Sequence, residues 1–485
     1  MAMLGKRRPP RERSGVSGLQ GRQPPTRAVA RATHDGEAPG LRIERLAHDG
    51  RGVAHDAAGK ALFVEGALPG ERVEAAVHRT RKRFDEAHVR EVLEASPERV
   101  EPPCGHYARC GGCDLQHLAV PAQRRHKQAV LIDLLARQGI EIDGEPELLA
   151  GASHGYRRRA RLGVKRDAEG RLHLGFRARH THRLVDIEHC TILVPELDAL
   201  LAPLHRQVAS LQAPRQVGHL ELLAGDQGTT LVVRQLKEHA ADREAWRAFG
   251  SAHGVHLAWL AGREAPVLEW LTPAPALSYR VPGAGVELTL GFAPGEFLQA
   301  NAEVNRRLVS TALEWLGGLA GVALLDLFAG VGNFSLPLAS AGARVTAVEG
   351  SPSMVERLER NVLANARGPA LTVTARQADL AQAGAVAALL AETHPEVVVL
   401  DPPRDGAEEA ARALVAAPVP RLLYVSCDPA TLARDVAHLV HGGYRITRIA
   451  VADMFVHTSH LESMLLFEHS RAQRQWQRQG ASADG

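Results

Sequence analysis

The chain has 485 residues with 45% hydrophobic and 23% charged side chains, ordinary values that exclude wholesale disorder, a collagen-like repeat and a low-complexity chain. At roughly 150 residues per domain, about three domains are expected, and the net charge of +3 says little until the charge is located. Five cysteines are too few for a secreted disulfide framework, and no apolar run is long enough for a membrane span or signal core, so a cytoplasmic protein without membrane association is expected.

Residues 1–37 read as a basic disordered arm: up to Asp35, eight Lys/Arg face two acids with almost no large apolar residue. Such an arm contacts phosphates nonspecifically or is merely solvated. From 38 to 96, short alternating runs broken by Asp49-Gly50, Gly59-Lys60 and Pro69-Gly70 predict a small β-barrel. The run His78-Arg79-Thr80-Arg81-Lys82-Arg83-Phe84, placed on one strand, suits RNA phosphates or a charged edge strand.

Residues 97–290 form a central α+β region with a cysteine cluster, a helix from Pro121 to about Gly139, β-hairpins turning at Asp167–Gly170, a helix from Leu193 to Leu211 and further strands. Between Tyr156 and Arg183, ten Lys/Arg oppose only Asp167 and Glu169, the footprint of a nucleic-acid surface. From 291 to 470, strands at 322–328, 344–349, about 396–400 and 421–426 alternate with helices and end in two strands between 444 and 468. That order is a doubly wound, Rossmann-like parallel sheet with an antiparallel end. Residues 471–485 are a polar tail, and no obligate protein partner is evident.

Four segments carry chemistry. Asp326-Leu327-Phe328-Ala329-Gly330-Val331-Gly332-Asn333 joins an apolar strand to a helix, and Glu349 closes the next strand 23 residues after Asp326. The glycines admit a ligand to the backbone, and the acid can accept both ribose hydroxyls of an adenosine-type cofactor. The pattern resembles that of class I methyltransferases, which use S-adenosylmethionine. In Asp401-Pro402-Pro403-Arg404, adjacent prolines stiffen a strand-end loop, and Arg404 stands where amino-methyltransferases usually carry an aromatic residue. Cys427 follows a strand that opens onto the same crevice, and Glu462 begins the final apolar strand.

A nucleophile, a carboxylate base and a methyl donor together solve the methylation of uracil at carbon 5, which is too weak a nucleophile by itself. Addition of a Cys427 thiolate to carbon 6 makes carbon 5 an enolate carbon, and Glu462 then removes the carbon 5 proton so that the cysteine can leave. Separately, Cys104, Cys110, Cys113 and Cys190 supply the four thiolates of an iron–sulfur cluster or a structural zinc. Gly111-Gly112 and the five-residue first spacing fit zinc ribbons poorly, and reduced free cysteines are the third possibility.

The segments "CGHYARCGGCDLQH", "FLQAN", "DLFAGVGNF", "LDPPRDG", "SCDPATLARD" and "HLESM" together resemble the bacterial 23S rRNA (uracil-C5)-methyltransferases that carry a [4Fe-4S] cluster, over roughly residues 38–468. The front barrel looks like a TRAM RNA-binding domain, a combination that favours the uracil-1939 branch of the family. The resemblance implies a [4Fe-4S] cluster on Cys104, Cys110, Cys113 and Cys190, and S-adenosylmethionine held by Gln299, Phe328, Asn333, Glu349, Asp379 and Asp401. It implies Cys427 as nucleophile, Glu462 as base and 23S ribosomal RNA as partner. The competing readings are 5-methyluridine formation at another rRNA or tRNA uridine, and an iron–sulfur redox or RNA-binding protein; the chain lacks the Cys-x3-Cys-x2-Cys spacing of radical enzymes.

Overall fold

A computed structural model describes residues 40–474 except 263, 265, 367 and 369, so the basic arm and most of the polar tail lie outside the described residues. The first compact unit is a six-stranded sheet of β1 (Leu41–Arg42), β2 (Arg45–Leu46), β3 (Gly52–His55), β4 (Ala61–Glu65), β5 (Arg72–Thr80) and β6 (Phe84–Glu94). Its order is β1-β5-β6-β4-β3-β2. Ile43, Ala54, Leu62, Val64, Val73 and Ala87 alternate into its core, as a period of two requires. The basic run does not sit on one strand. Residues 78–80 end β5, the exposed Arg81, Lys82 and Arg83 form the turn, and Phe84 opens β6. Like charges at successive positions are better solvated on a hairpin tip than within a paired ladder.

The second unit begins with the cysteine segment and α1 (Val120–Ala136), followed by the short strand β7 (Glu147–Leu149). A seven-stranded sheet then comprises β8 (Arg159–Arg166), β9 (Leu172–Arg177), β10 (Leu184–Asp186), β11 (Val217–Gly225), β12 (Gly228–Gln235), β13 (His256–Ala261) and β14 (Val267–Trp270). The expected hairpin is β8–β9, with Asp167 N–H donating to the Arg171 carbonyl across its turn. The helix expected over Leu193–Leu211 is two, α2 (Pro195–Asp198) and α3 (Leu201–Ser210). A further helix, α4 (Ala240–His253), buries Trp246 and Phe249. Strands β15 (Ser278–Pro282) and β16 (Glu287–Gly291) pair as a separate ribbon.

The last sheet comprises β17 (Ala323–Leu327), β18 (Arg344–Glu349), β19 (Thr372–Gln377), β20 (Val397–Leu400), β21 (Arg421–Ser426), β22 (Arg445–Ala452) and β23 (Glu462–Glu468), with β7 at its edge. Its order is β19-β18-β17-β20-β21-β23-β22-β7, and β23 is antiparallel to β21 and β22. Side chains of α5 (Ala302–Leu316), α6 (Ser335–Ser340) and α7 (Pro352–Ala364) share one core with one face of the sheet. On the other face lie α1, α8 (Ala385–Thr393), α9 (Glu408–Ala416) and α10 (Pro429–His441). With both faces covered, the central strand β20 reads Val-Val-Val-Leu and is buried throughout. Among the described residues, no helix is long and apolar enough to cross a membrane.

Candidate active site

Of the candidate catalytic and cofactor residues of the α/β half, Phe328, Glu349, Asp379, Asp401 and Cys427 stand at or just beyond the C-terminal ends of β17, β18, β19, β20 and β21, Asn333 in the turn that follows β17, and Glu462 at the start of β23, whereas Gln299 precedes α5. Ligands of open parallel sheets bind at this rim. Leu327 pairs with both Val348 and Leu400, so the chains leaving β17, β18 and β20 emerge side by side. Phe328 leaves β17 with a φ of 64°, an unusual left-handed conformation for a side chain of its size, and Gly330 and Gly332 continue at 56° and 96°. A Cβ on Gly332 would meet Leu336 Cδ1 at 2.4 Å, so only glycine closes this turn onto α6. The Glu349 carboxylate is pinned beside the loop, accepting Gly330 N–H at 3.1 Å and Ser351 N–H at 2.9 Å.

Carboxylates crowd this rim. Asp326 is buried; Ser335 Oγ donates to one of its oxygens, and the other, Oδ1, has no partner. Burial, with Glu349 adding repulsion, pushes its carboxyl up to about 7. Asp401 is likewise pushed up to about 7, by burial first and by Asp326 second. Burial of Glu462, with repulsion from Asp401, raises its carboxyl to about 8. Such a concentration of poorly solvated acid suits a cationic partner, and a sulfonium donor with an α-ammonium group carries two positive centres.

Cys427 and Glu462 meet through strand register. Ser426, the last residue of β21, pairs with Ser463 of antiparallel β23, so the next positions outward on the two strands are Cys427 and Glu462. Burial first, then repulsion from Glu462 and Asp401, push the Cys427 thiol up to about 11, with Arg404 acting in the opposite sense. Cys427 also directly precedes the N-terminus of α10, where Asp428 accepts Ala430 N–H at 3.1 Å and Thr431 N–H at 3.0 Å. The positive end of that helix favours an anion at this position. Arg404, which stands where amino-methyltransferases usually carry an aromatic residue, is in the fold the cation acting on the Cys427 thiol.

The remaining cofactor candidates differ in setting. Gln299 is buried, and its backbone carbonyl accepts Arg158 Nε at 2.7 Å. The Asn333 carboxamide is engaged in two reciprocal 3.0 Å bonds with Asn305 of α5, a partner the sequence reading missed. Asp379 is exposed two residues beyond β19, its carboxylate accepting Ala381 N–H at 3.1 Å.

The basic stretch around residue 158 departs from expectation. Arg158 is buried with its guanidinium 4.6 Å from the Tyr279 ring centre, and Arg159 bonds the Glu221 carboxylate and the Glu296 carbonyl. The Arg158 side chain braces the Gln299 carbonyl and that of Arg159 the Glu296 carbonyl, instead of facing phosphates.

The four cysteines come together. Cys104, Cys110, Cys113 and Cys190 all line one small cavity of about 30 Å³, with Tyr107, Phe176 and Ile187. All are free thiols. Burial raises Cys113 to about 12 and Cys190 to about 11, with mutual repulsion adding to both. Among the described residues, no three His, Cys, Asp or Glu side chains form a ready-made site for a metal ion. Arg179 donates to the carbonyls of Cys110 and Cys113, tying this loop to the end of the basic hairpin.

Comparison with known proteins agrees with this architecture. The tRNA (uracil-5-)-methyltransferase family matches residues 122–470, and a TRAM domain matches residues 39–89. The 23S rRNA (uracil(1939)-C(5))-methyltransferase RlmD of Halomonas elongata is 62% identical over the full length of both chains. The same-named protein of Chromohalobacter salexigens is 56% identical, covering 96% of this chain and 95% of its own. Among solved structures, the Pyrococcus abyssi tRNA (uracil-54, C5)-methyltransferase in complex with S-adenosyl-L-homocysteine aligns with a TM-score of 0.69. That alignment covers 88% of this chain and 99% of the other, and at 23% identity it speaks for the fold.

Proposed function

The chain belongs to the tRNA (uracil-5-)-methyltransferase family, and we propose that it methylates carbon 5 of uridine 1939 in 23S rRNA, in the cytoplasm. The observation that carries the chemistry is the β21–β23 register, which sets Cys427 beside Glu462 at the rim that holds the glycine turn. S-adenosylmethionine supplies the electrophilic methyl group. Gln299, Phe328, Glu349, Asp379 and Asp401 would hold it, with Asn333 acting through its bonds to Asn305.

Cys427 sulfur forms a bond to uracil carbon 6, and the ring electrons move to carbon 5 as an enolate. Carbon 5 then takes the methyl group as the donor's methyl–sulfur bond breaks, leaving S-adenosylhomocysteine. Glu462, as carboxylate, removes the remaining carbon 5 proton; the carbon–sulfur bond breaks and the cysteine leaves as thiolate. Arg404 and the α10 N-terminus favour that thiolate at both ends of the cycle. The uracil must leave any base stack to reach the cysteine, which favours a loop or bulge of the rRNA.

The reading extends to a [4Fe-4S] cluster on Cys104, Cys110, Cys113 and Cys190. Four thiols sharing one apolar cavity repel as thiolates and call for a cationic centre, and the cluster would hold the 104–113 loop against the basic hairpin. It also divides the chain into a barrel over 38–96, a cluster domain over 97–290 and a methyltransferase domain over 291–470, with the barrel and the exposed hairpin arginines contacting rRNA.

The test is incubation with labelled S-adenosylmethionine and undermethylated 23S rRNA, followed by mapping of 5-methyluridine. A single labelled uridine that disappears in Cys427→Ala, with RNA affinity within a few fold, is expected. Turnover surviving in that variant would refute the mechanism.

A further inference from the structure

The loop between β22 and β23, residues 453–461, delivers Glu462 to the rim, and little within the sheet holds it. Strand pairing of β23 with β21 and β22 begins only at Glu462 and Ser463. Upstream of that point, the loop is captured by the segment that follows the third cysteine. The Asp114 carboxylate accepts both Ser459 N–H at 2.8 Å and Ser459 Oγ–H at 2.9 Å. Backbone N–H groups of Asp114 and Leu115 both donate to the His457 carbonyl at 3.0 Å. Gln123 Oε1 accepts His457 N–H at 2.9 Å, and Tyr156 OH donates to the Val456 carbonyl at 2.9 Å.

His457, so held on both its peptide groups, has a φ of 68°. A non-glycine residue does not stay in that left-handed region without outside bonds that over-determine it. The loop's own bonds, Thr458 N–H and Oγ1–H to the Phe455 carbonyl and His460 N–H to Thr458 Oγ1 at 3.3 Å, close tight local turns and do not reach Glu462. Ser459 is three residues from Glu462, and the intervening Leu461 is buried, so displacement at Ser459 is transmitted to the carboxylate.

We propose that Asp114 is a positioning residue for the base Glu462: through Ser459 it fixes the approach of the 453–461 loop to β23, and so couples the cysteine segment to the proton-removal step. This rests on the reading of Glu462 as base. Asp114 touches neither substrate nor reacting atoms. Its loss leaves addition to carbon 6 and methyl transfer possible but slows elimination, so the covalent protein–RNA species builds up.

The experiment compares Asp114→Ala, Asp114→Asn and Ser459→Ala with wild type and Glu462→Gln, using 23S rRNA fragment, S-adenosylmethionine and denaturing gels for the adduct. Removing the partly buried acceptor of two hydrogen bonds corresponds to roughly a ten-fold effect or more on an equilibrium. Asp114→Ala is therefore expected to lose at least about ten-fold in kcat with KM for RNA within about two-fold, and to accumulate adduct. Ser459→Ala, remote from the cysteines in sequence, keeps the iron content and visible absorbance of wild type and shows the same adduct to a lesser degree. Asp114→Asn, which retains one acceptor oxygen, recovers part of kcat. If Glu462→Gln traps adduct while neither Asp114→Ala nor Ser459→Ala does, the positioning role is overturned and the base stands. If Glu462→Gln traps none and turns over normally, the base assignment and the positioning role fall together.

Discussion

Glu462 should destabilise the folded protein in a pH-dependent way, and its removal should reveal this. The carboxyl is raised to about 8 by burial and by Asp401. In the unfolded chain a glutamate ionises near 4.3. Between these values the unfolded state loses a proton that the folded state keeps, so this group's contribution to stability declines as pH rises from about 4.5 to about 8, then levels off. Integrated, the penalty is about 1 kcal/mol at pH 5 and roughly 4 to 5 kcal/mol at pH 8. Glu462→Gln has no such proton to lose, and any cost of burying an amide there is independent of pH. The stability difference, variant minus wild type, should therefore grow by roughly 3 to 4 kcal/mol from pH 5 to pH 8. Urea unfolding of both proteins without S-adenosylmethionine, at pH 5, 6, 7, 8 and 9, measures it. A difference that stays flat, or that shifts in favour of wild type as pH rises, would refute the idea that this carboxylate is held protonated by its surroundings.

Two further perturbations probe what holds the site. Lys127 and Asp453 are both 1% exposed and 2.8 Å apart, with Arg124 on the second Asp453 oxygen. Lys127→Met leaves Asp453 with a single, more exposed partner and should destabilise the protein by about 3 kcal/mol or more, read from the urea midpoint; a change under about 0.5 kcal/mol would show that Arg124 suffices. Cys113→Ser, at a thiol that burial and its cysteine neighbours push up to about 12, should lose iron and visible absorbance on purification and shift thermal unfolding downward. Full iron content in that variant would count against the four-thiolate reading.

What the chain reveals by itself depends on how local the determining contacts are. The rim motifs are legible because strand, turn and functional group are contiguous: Asp326 through Asn333 contains its own glycine turn, and Cys427 carries its helix cap beside it. The strand Thr372–Gln377 is harder to read because it is a sheet edge, alternating exposed and half-buried positions without a buried run. The edge strand Glu147–Leu149 has three residues and owes its state to pairing with β22, some 300 positions away. Arg158 and Arg159 mislead for a similar reason. A charge count over a window cannot register that Glu221 and the Gln299 carbonyl, both distant in sequence, turn these cations inward. Asn305 left a usable signal, since it follows Asn301 by one helical turn on a face that otherwise buries Val304, Leu308 and Val309.

The electrostatics of the rim point to an order of events. Asp326, Asp401 and Glu462 are each raised to about 7 or 8 chiefly by burial and then by one neighbouring carboxylate, Glu349, Asp326 and Asp401 respectively, so near neutral pH the site without its donor holds protons that the reaction cannot use. Glu462 can act as a base only after losing its own. A sulfonium donor held beside these acids would offset their repulsion and lower them together, so that donor binding would prepare Glu462 for its proposed role as base before RNA arrives. The consequence is measurable as linkage. Binding of S-adenosylmethionine at pH 7 should release protons, on the order of one per site, whereas S-adenosylhomocysteine, which keeps the ammonium but lacks the sulfonium charge, should release fewer. Calorimetric titrations in two buffers of different ionisation enthalpy give both counts. Equal release by the two ligands would place the sulfonium away from the acids, and the raised carboxyls would then need a different counter-ion.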